Sequence, residues 1–323
     1  MADLSRRTLL AAAAASAAAS VTGVLPASAA APLANSQMPS AYRYKVGAFE
    51  VTAISDGART MPLSDSFVRN QPRDAVNAAL KAAFLTENQI TIPFTALVVN
   101  TGSKLILIDT GNGPAQGTVG QLQANLKAAG IDPAALDTVV ISHFHGDHIN
   151  GLLTAEGKPA FPAAQVLVPQ AEWAFWTDDG IMSRAPEASK GAFQNVRRVF
   201  GGLGATPEQY AWDKEILPGL TSVETAGHTP GHTSFVLASG DAALFVQSDV
   251  TNIPALFMRN PTWHVMFDMD PAKAQQARVR TYDRLSADRM MVAGFHFPFP
   301  GAAHVEKDGA HFRYVPVAWS PVL

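Results

Sequence analysis

Between Ser142 and Asn150 the chain reads Ser-His-Phe-His-Gly-Asp-His-Ile-Asn, with three histidines and one carboxylate inside six residues. The segment directly follows the apolar run Thr138-Val139-Val140-Ile141. Imidazole and carboxylate together suit zinc and its neighbours in the first transition row. In an extended loop, side chains two apart share a side, so His143, His145 and Asp147 converge and a local turn brings in His148. Four ligands are too many for one metal that must keep an open position. The spacing therefore points to two metal ions.

Three more candidates stand at the ends of apolar strands. His228 lies in Ala226-Gly-His-Thr-Pro-Gly-His232 after Val223-Glu224-Thr225, Asp249 follows Leu244-Phe245-Val246-Gln247, and His296 follows Met291-Val292-Ala293-Gly294-Phe295. Loops at strand ends are where a rigid sheet holds a metal site. Gly146, Gly227 and Gly294 beside them permit tight backbone paths. His264, His304 and His311 have no such context and read as surface or pocket residues.

The elements that must position these groups alternate. Lys45 to Ile54 reads as a strand pair closed by a turn at Ser55-Asp56-Gly57. Asp74 to Leu85 has Val76, Leu80 and Phe84 at four-residue spacing, as on a helix. Thr95–Asn100 and Lys104–Ile108 are strands around a short turn. A helix spans Thr118 to Ala129, stopped by Gly130. Strands follow at 138–141, 165–168, 223–225, 233–237 and 243–246, with a helical insertion over 170–215. Asp270-Pro271 opens a helix running to about Leu285, and Arg289–Ala293 reads as the last clear core strand. The pattern is α/β with two β-rich halves.

Composition bounds the rest. The chain has 323 residues, 47% hydrophobic and 16% charged, enough for one large domain. A net charge of −3 offers no electrostatic case for nucleic acid. Cysteine is absent, which excludes disulfides and thiolate metal sites. No Gly-x-Ser-x-Gly nucleophile motif is present. Ser5-Arg6-Arg7-Thr8-Leu9-Leu10 precedes an alanine-rich apolar run to Leu25, and Ala27-Ser28-Ala29 offers small cleavage residues. Residues 1–29 are expected to be a twin-arginine export signal, 30–41 a linker or arm, and 42–323 the folded domain, periplasmic or secreted.

The ordered set His-x-His-x-Asp-His, Gly-His-Thr-x-Gly-His, a later Asp and a final His resembles the metallo-β-lactamase superfamily. Asp109, in Leu107-Ile108-Asp109-Thr110-Gly111, resembles that superfamily's first motif, where it orients a ligand. The resemblance implies a four-layer αβ/βα sandwich with the site at the edge of two sheets. It implies one metal on His143, His145 and His228, a second on Asp147, His148 and His296, and Asp249 bridging both. His232 would then support the shell from behind. Two such ions, once bound, would supply Lewis acidity and acidify water for attack on the substrate. Zinc is the expected metal, with Mn, Fe or Co compatible.

From Tyr42 onward the chain is similar to the methyl parathion hydrolase branch. The similarity lies in Tyr42–Gly57, Val99–Gly111 and Phe295-His-Phe-Pro-Phe-Pro-Gly301. That branch comprises exported lactonases and aryl esterases, some with organophosphate triesterase activity, and its members are homodimers. Trp176 and Phe193 match its pocket aromatics, and Phe94 is a further pocket candidate. The stretch Asn112–Gly117 departs from it, lacking the aromatic of the leaving-group pocket. The expectation is a dinuclear hydrolase of small esters or lactones, with organophosphate hydrolysis weakened by that departure. The alternatives are a β-lactamase, against which the absence of cysteine counts, or an iron-dependent redox enzyme of the persulfide dioxygenase type. Zinc scavenging would favour a flexible His-rich tract, which the chain lacks.

Overall fold

Two seven-stranded sheets face each other, and each strand divides its side chains between two layers. The computed structural model describes residues 41–323 together with Leu33, Gln37, Met38 and Ser40. The expected export signal at 1–29 lies outside the described residues. The first strand begins at Ala41, one residue before the expected domain start.

The first sheet runs in order β1 (Ala41–Val46), β2 (Phe49–Pro62), β3 (Gln89–Asn100), β4 (Leu105–Ile108), β5 (Thr138–Val140), β6 (Gln165–Pro169) and β7 (Glu208–Tyr210). The second contains β8 (Glu215–Leu217), β9 (Leu220–Glu224), β10 (Thr233–Ser239), β11 (Ala242–Ser248), β12 (Met291–Gly294), β13 (Ala302–Asp308) and β14 (His311–Pro316), each beside the next. The principal helices are α1 (Arg73–Ala82), α2 (Leu122–Ala128), α3 (Gly146–Ile149), α4 (Gln170–Thr177), α5 (Asp179–Arg184), α6 (Glu187–Gly201) and α7 (Pro271–Asp288).

Strand alternation sorts the core into layers. Leu97 and Val99 of β3 meet Leu244 and Val246 of β11 between the sheets. Val98 points the other way, into a cluster with Leu80, Leu122, Leu126, Val196 and Val199 from the helices. Phe245 likewise turns outward onto Tyr282 and Leu285 of α7. The result is helix, sheet, sheet, helix, as expected from the four-layer sandwich.

Several local expectations give way to tertiary contacts. The turn at Ser55-Asp56-Gly57 is a bulge inside one long strand: β2 continues to Pro62, with a register shift between Ser55 and Gly57. The buried Asp56 carboxylate accepts from the Asn112 and Leu122 amides at 2.7 and 2.9 Å, so the acid serves as an anchor for another segment. Gly57 is obligatory here, because a Cβ would sit 1.9 Å from the Thr118 carbonyl oxygen. That contact also explains why the helix expected from Thr118 begins only at Leu122: Thr118 and Val119 are held against β2. Phe84 is not on the α1 stripe. The helix ends at Ala82, and Phe84 turns into the left-handed region, 99% exposed.

The insertion is mainly helical but ends in β7 and the start of β8. Arg289–Ala293 is trimmed to β12, and it is not last. The polar, largely exposed hairpin β13–β14 follows, its inward positions marked by Ala303, Val305 and Phe312 with Tyr314 packed beside them. The helix opened by Asp270 forms as expected, with its carboxylate accepting from the Lys273 amide at 3.0 Å.

Candidate metal centre

The candidate groups gather at the carboxyl ends of the central strands, the edge where open α/β sheets place their ligands. Asp109 ends β4, His143 follows β5, Asp249 follows β11 and His296 follows β12. β4 and β5 pair in parallel, as do β11 and β12, so their loops leave on the same side. His145 precedes α3, a single turn that carries Asp147 and His148 round to the second cluster. Gly227 at φ +138 approaches α7 so closely that a Cβ would stand 2.3 Å from the Ala274 nitrogen.

Two groups result, His143/His145/His228 and Asp147/His148/Asp249/His296, the ligand atoms of each within 4.8 Å of one another. The Asp249 carboxylate lies between them. Its Oδ2 stands 3.3 Å from His228 Nε2 and 2.9 Å from His296 Nε2, and its Oδ1 stands 3.3 Å from His148 Nε2. All seven side chains singled out as ligands are thus brought together, and five of them are buried, His145 and Asp147 being partly exposed.

The outward ring nitrogens are already committed. His148 Nδ1 is 2.9 Å from Asp109 Oδ2, His228 Nδ1 is 2.9 Å from Asp268 Oδ1, and His296 Nδ1 is 2.9 Å from the Pro93 carbonyl. Acceptors there draw the proton to Nδ1 and leave the Nε2 lone pairs aimed inward. Those inward atoms face one another: His145 Nδ1 is 2.9 Å from His228 Nε2 and 3.2 Å from His143 Nε2. His148 Nε2 and Asp249 Oδ1 are buried without hydrogen-bond partners. Converging lone pairs and orphaned acceptors call for cations, and the donor set of nitrogen and oxygen suits divalent transition ions.

Electrostatics agrees. Burial pushes His143 well down and His145 to about 3, with neighbouring histidines adding to the effect. His228 goes the other way, to about 9, because the Asp249 and Asp268 carboxylates outweigh burial. His148 and His296 are also raised, burial being overcome chiefly by Asp249. Burial opposes ionisation of Asp249, but His296 and His148 hold it well below the usual carboxylate range. The centre is a sink for positive charge.

Asp109 does not cap a turn at the surface. Buried, at φ +60, it accepts from the Ser142 amide and hydroxyl, both at 2.8 Å, besides facing His148. His232 stays out of both clusters. Its Nε2 accepts the Asp249 amide at 3.0 Å and its Nδ1 faces Thr225, so it sets the backbone that presents Asp249.

Two supporting residues carry no motif. Asp268 holds His228 and pairs with the buried Arg278 guanidinium at 3.2 Å. Glu172, fully buried, accepts from the Phe144 amide at 2.8 Å and the Gly231 amide at 2.6 Å, tying both histidine loops together. Each is an acid among large apolar neighbours, Val265-Met266-Phe267-Asp268-Met269 and Ala171-Glu172-Trp173-Ala174-Phe175, and that local contrast is the one sequence signal either carries.

A cleft of about 400 Å³ opens onto the centre. Met61, Ile92, Phe94 and Phe267 supply apolar lining, and Arg59, Asn112, Gln116 and Asn150 polar lining. Phe94 stands with its ring against His296, centroids 5.3 Å apart. Trp176 and Phe193 are not among the lining residues. They pack on each other at 4.7 Å in the helical core, and Trp176 Nε1 donates to Glu172 at 2.8 Å. The indole needs a buried acceptor, and Glu172 holds it on the core side.

A family model described as the metallo-β-lactamase superfamily matches residues 93–293. The chain belongs to the metallo-β-lactamase superfamily. It is 24% identical over 193 residues to an N-acyl homoserine lactonase from Bacillus cereus, covering 53% of this chain and 67% of that protein. A second N-acyl homoserine lactonase, from a Bacillus species, is 28% identical over 130 residues, which span 39% of this chain and only 44% of that protein. Among solved structures, the hydrolase AbOPH of the β-lactamase superfamily aligns at TM-score 0.83 with 27% identity, over 88% of this chain and all of that one. The dizinc quorum-quenching lactonase AidC aligns at 0.82 with 24% identity, over 87% of this chain and 98% of that one, a likeness of fold.

Proposed function

We propose that this superfamily member is a dinuclear metal-dependent hydrolase of small esters or lactones. The observation that carries the reading is the inward convergence of seven ligand groups, three of which, His148, His228 and His296, have their outward ring nitrogens held by Asp109, Asp268 and the Pro93 carbonyl. His143, His145 and His228 would hold one ion, Asp147, His148 and His296 the other, and Asp249 both. Such ions supply Lewis acidity and acidify water towards neutrality. The chain itself shapes the approach. Phe94, Met61 and Ile92 give apolar surface beside Asp147 and His296, where an acyl or alkoxy arm rests. His232 and Asp109 hold Asp249 and His148 in place against substrate-induced movement.

The nature of the relatives supports lactone hydrolysis, since the two described above are N-acyl homoserine lactonases. Phosphotriester hydrolysis is the secondary reading: AbOPH is a hydrolase, but Trp176 and Phe193, the aromatics matched to that branch's pocket, do not line this cleft. Export by the twin-arginine route and homodimerisation are further parts of the proposal, resting on the Arg6-Arg7 segment and on the branch resemblance.

The test is metal analysis of purified protein followed by parallel assays on aryl acetates, dihydrocoumarin, acyl-homoserine lactones, methyl paraoxon and nitrocefin. The expected result is about two transition ions per chain, the complement of a paired site, and turnover of ester or lactone. Rapid nitrocefin cleavage without esterase or lactonase activity would overturn the assignment.

A further inference from the structure

The polar side of the cleft holds one cation with no ionic partner. Arg59 follows the bulge in β2, directly across from Ile92 of β3, and shares its strand face with Met61. Both side chains line the cleft. Among the described residues no carboxylate lies within salt-bridge distance of Arg59. Its hydrogen bond is a long one, Nη2 to Asn112 Oδ1 at 3.4 Å.

That single contact is fixed in orientation. Asn112 Nδ2 donates to Asp56 at 2.9 Å and its backbone amide to the same carboxylate at 2.7 Å, so the amide oxygen is the end left for Arg59. Asp56 in turn is bound to the Leu122 amide at 2.9 Å. Arg59 is exposed at the cleft, with Asn112 as its side-chain hydrogen-bond partner among the described residues. The cleft carboxylates do not compete for it, because Asp147 and Asp249 face His148 and His296. Gln116 and Asn150 add neutral donors on the same side.

We propose that Arg59 is a specificity-determining residue that binds a carboxylate on the substrate, with Asn112 holding the guanidinium in place. The preferred substrate is then an ester or lactone with an apolar segment for Phe94, Met61 and Ile92 and an anionic end for Arg59. A guanidinium offers paired donors matched to a carboxylate, which a lysine offers only as a point charge. The proposal rests on the cleft being the hydrolytic site.

Calorimetric titration of the purified protein with adipate and with hexanoate separates the two ideas, because it reads binding without turnover. Adipate should bind about tenfold more tightly than hexanoate, the scale of one charge-assisted contact in a half-open cleft. Arg59→Ala should erase that difference and Arg59→Lys should keep part of it. In the activity arm, the kcat/KM ratio of mono-4-nitrophenyl adipate to 4-nitrophenyl hexanoate should fall about tenfold in Arg59→Ala, mainly through KM. Equal binding of the two acids by the native chain, or a preference that survives Arg59→Ala, would overturn the proposal. If neither these esters nor the lactones of the assay panel are turned over, the hydrolase reading falls, and the titration still decides the role of Arg59.

Discussion

Asp268→Ala should damage stability and metal affinity by separate routes. The carboxylate makes two buried contacts, 2.9 Å to His228 Nδ1 and 3.2 Å to Arg278 Nη2, and both members of the ion pair are 1% exposed. Removing one partner of a buried pair costs about 3–5 kcal/mol. Arg278 keeps its bonds to the Val250, Pro261 and Trp263 carbonyls and its place over the Phe257 ring, which sets the expected loss near the lower end, about 3 kcal/mol. Loss of a ligand-orienting acceptor lowers metal affinity about 10- to 100-fold.

The two effects separate in Asp268→Ala/Arg278→Met. Replacing both partners removes the unpaired buried charge but also the bonds of Arg278 to the Val250, Pro261 and Trp263 carbonyls, so stability returns only in part, and His228 still lacks its acceptor. Urea unfolding of metal-free protein and competitive zinc titration read the two quantities. Full recovery of zinc affinity in the double variant would refute the orienting role, since the loss would then have come from the unpaired arginine.

Three further outcomes follow from the same geometry. Asp249→Ala should lower metal content towards one ion per chain and cut turnover by orders of magnitude, read by elemental analysis and kinetics; two retained ions with unchanged kinetics would contradict bridging. Glu172→Gln turns an amide NH₂ towards donors that now face carboxylate oxygens, so it should cost about 2–4 kcal/mol in unfolding experiments, the penalty for stranding one or two buried donors, and should loosen zinc binding because both histidine loops lose their tie. Asp56 is raised above its ordinary value by burial, which outweighs the donated bonds from Asn112 and Leu122. Its contribution is therefore present below the unfolded-state value and declines as pH rises through the folded-state one. The stability of the native chain relative to Asp56→Asn should grow as pH falls towards 3.8, measured by urea unfolding across that range; a difference that shrinks on acidification would refute the direction.

The candidate metal centre was legible because its ligand types sit in short local segments. His143, His145, Asp147 and His148 share one loop, and His228, Asp249 and His296 each follow an apolar strand with a glycine or serine nearby. Ligand type, spacing and strand ends are local properties, so sequence alone defines the donor set and the α/β alternation that presents it. Tertiary structure decided everything that depends on a distant partner. Asp56-Gly57 has the composition of a turn, yet remains within a strand because segments around Asn112 and Thr118 bind it. Phe84 has helical spacing, but the helix stops before reaching it.

Trp176 and Phe193 look like pocket aromatics, yet a buried glutamate and a helical core hold them inside. Asp268, Glu172 and Arg59 lie in no motif, and their roles exist only once strands far apart in sequence meet. Composition and periodicity report what a side chain can do. Which buried donor, lone pair or charge it must satisfy is set by the groups that packing places within about 3 Å, the reach of a hydrogen bond.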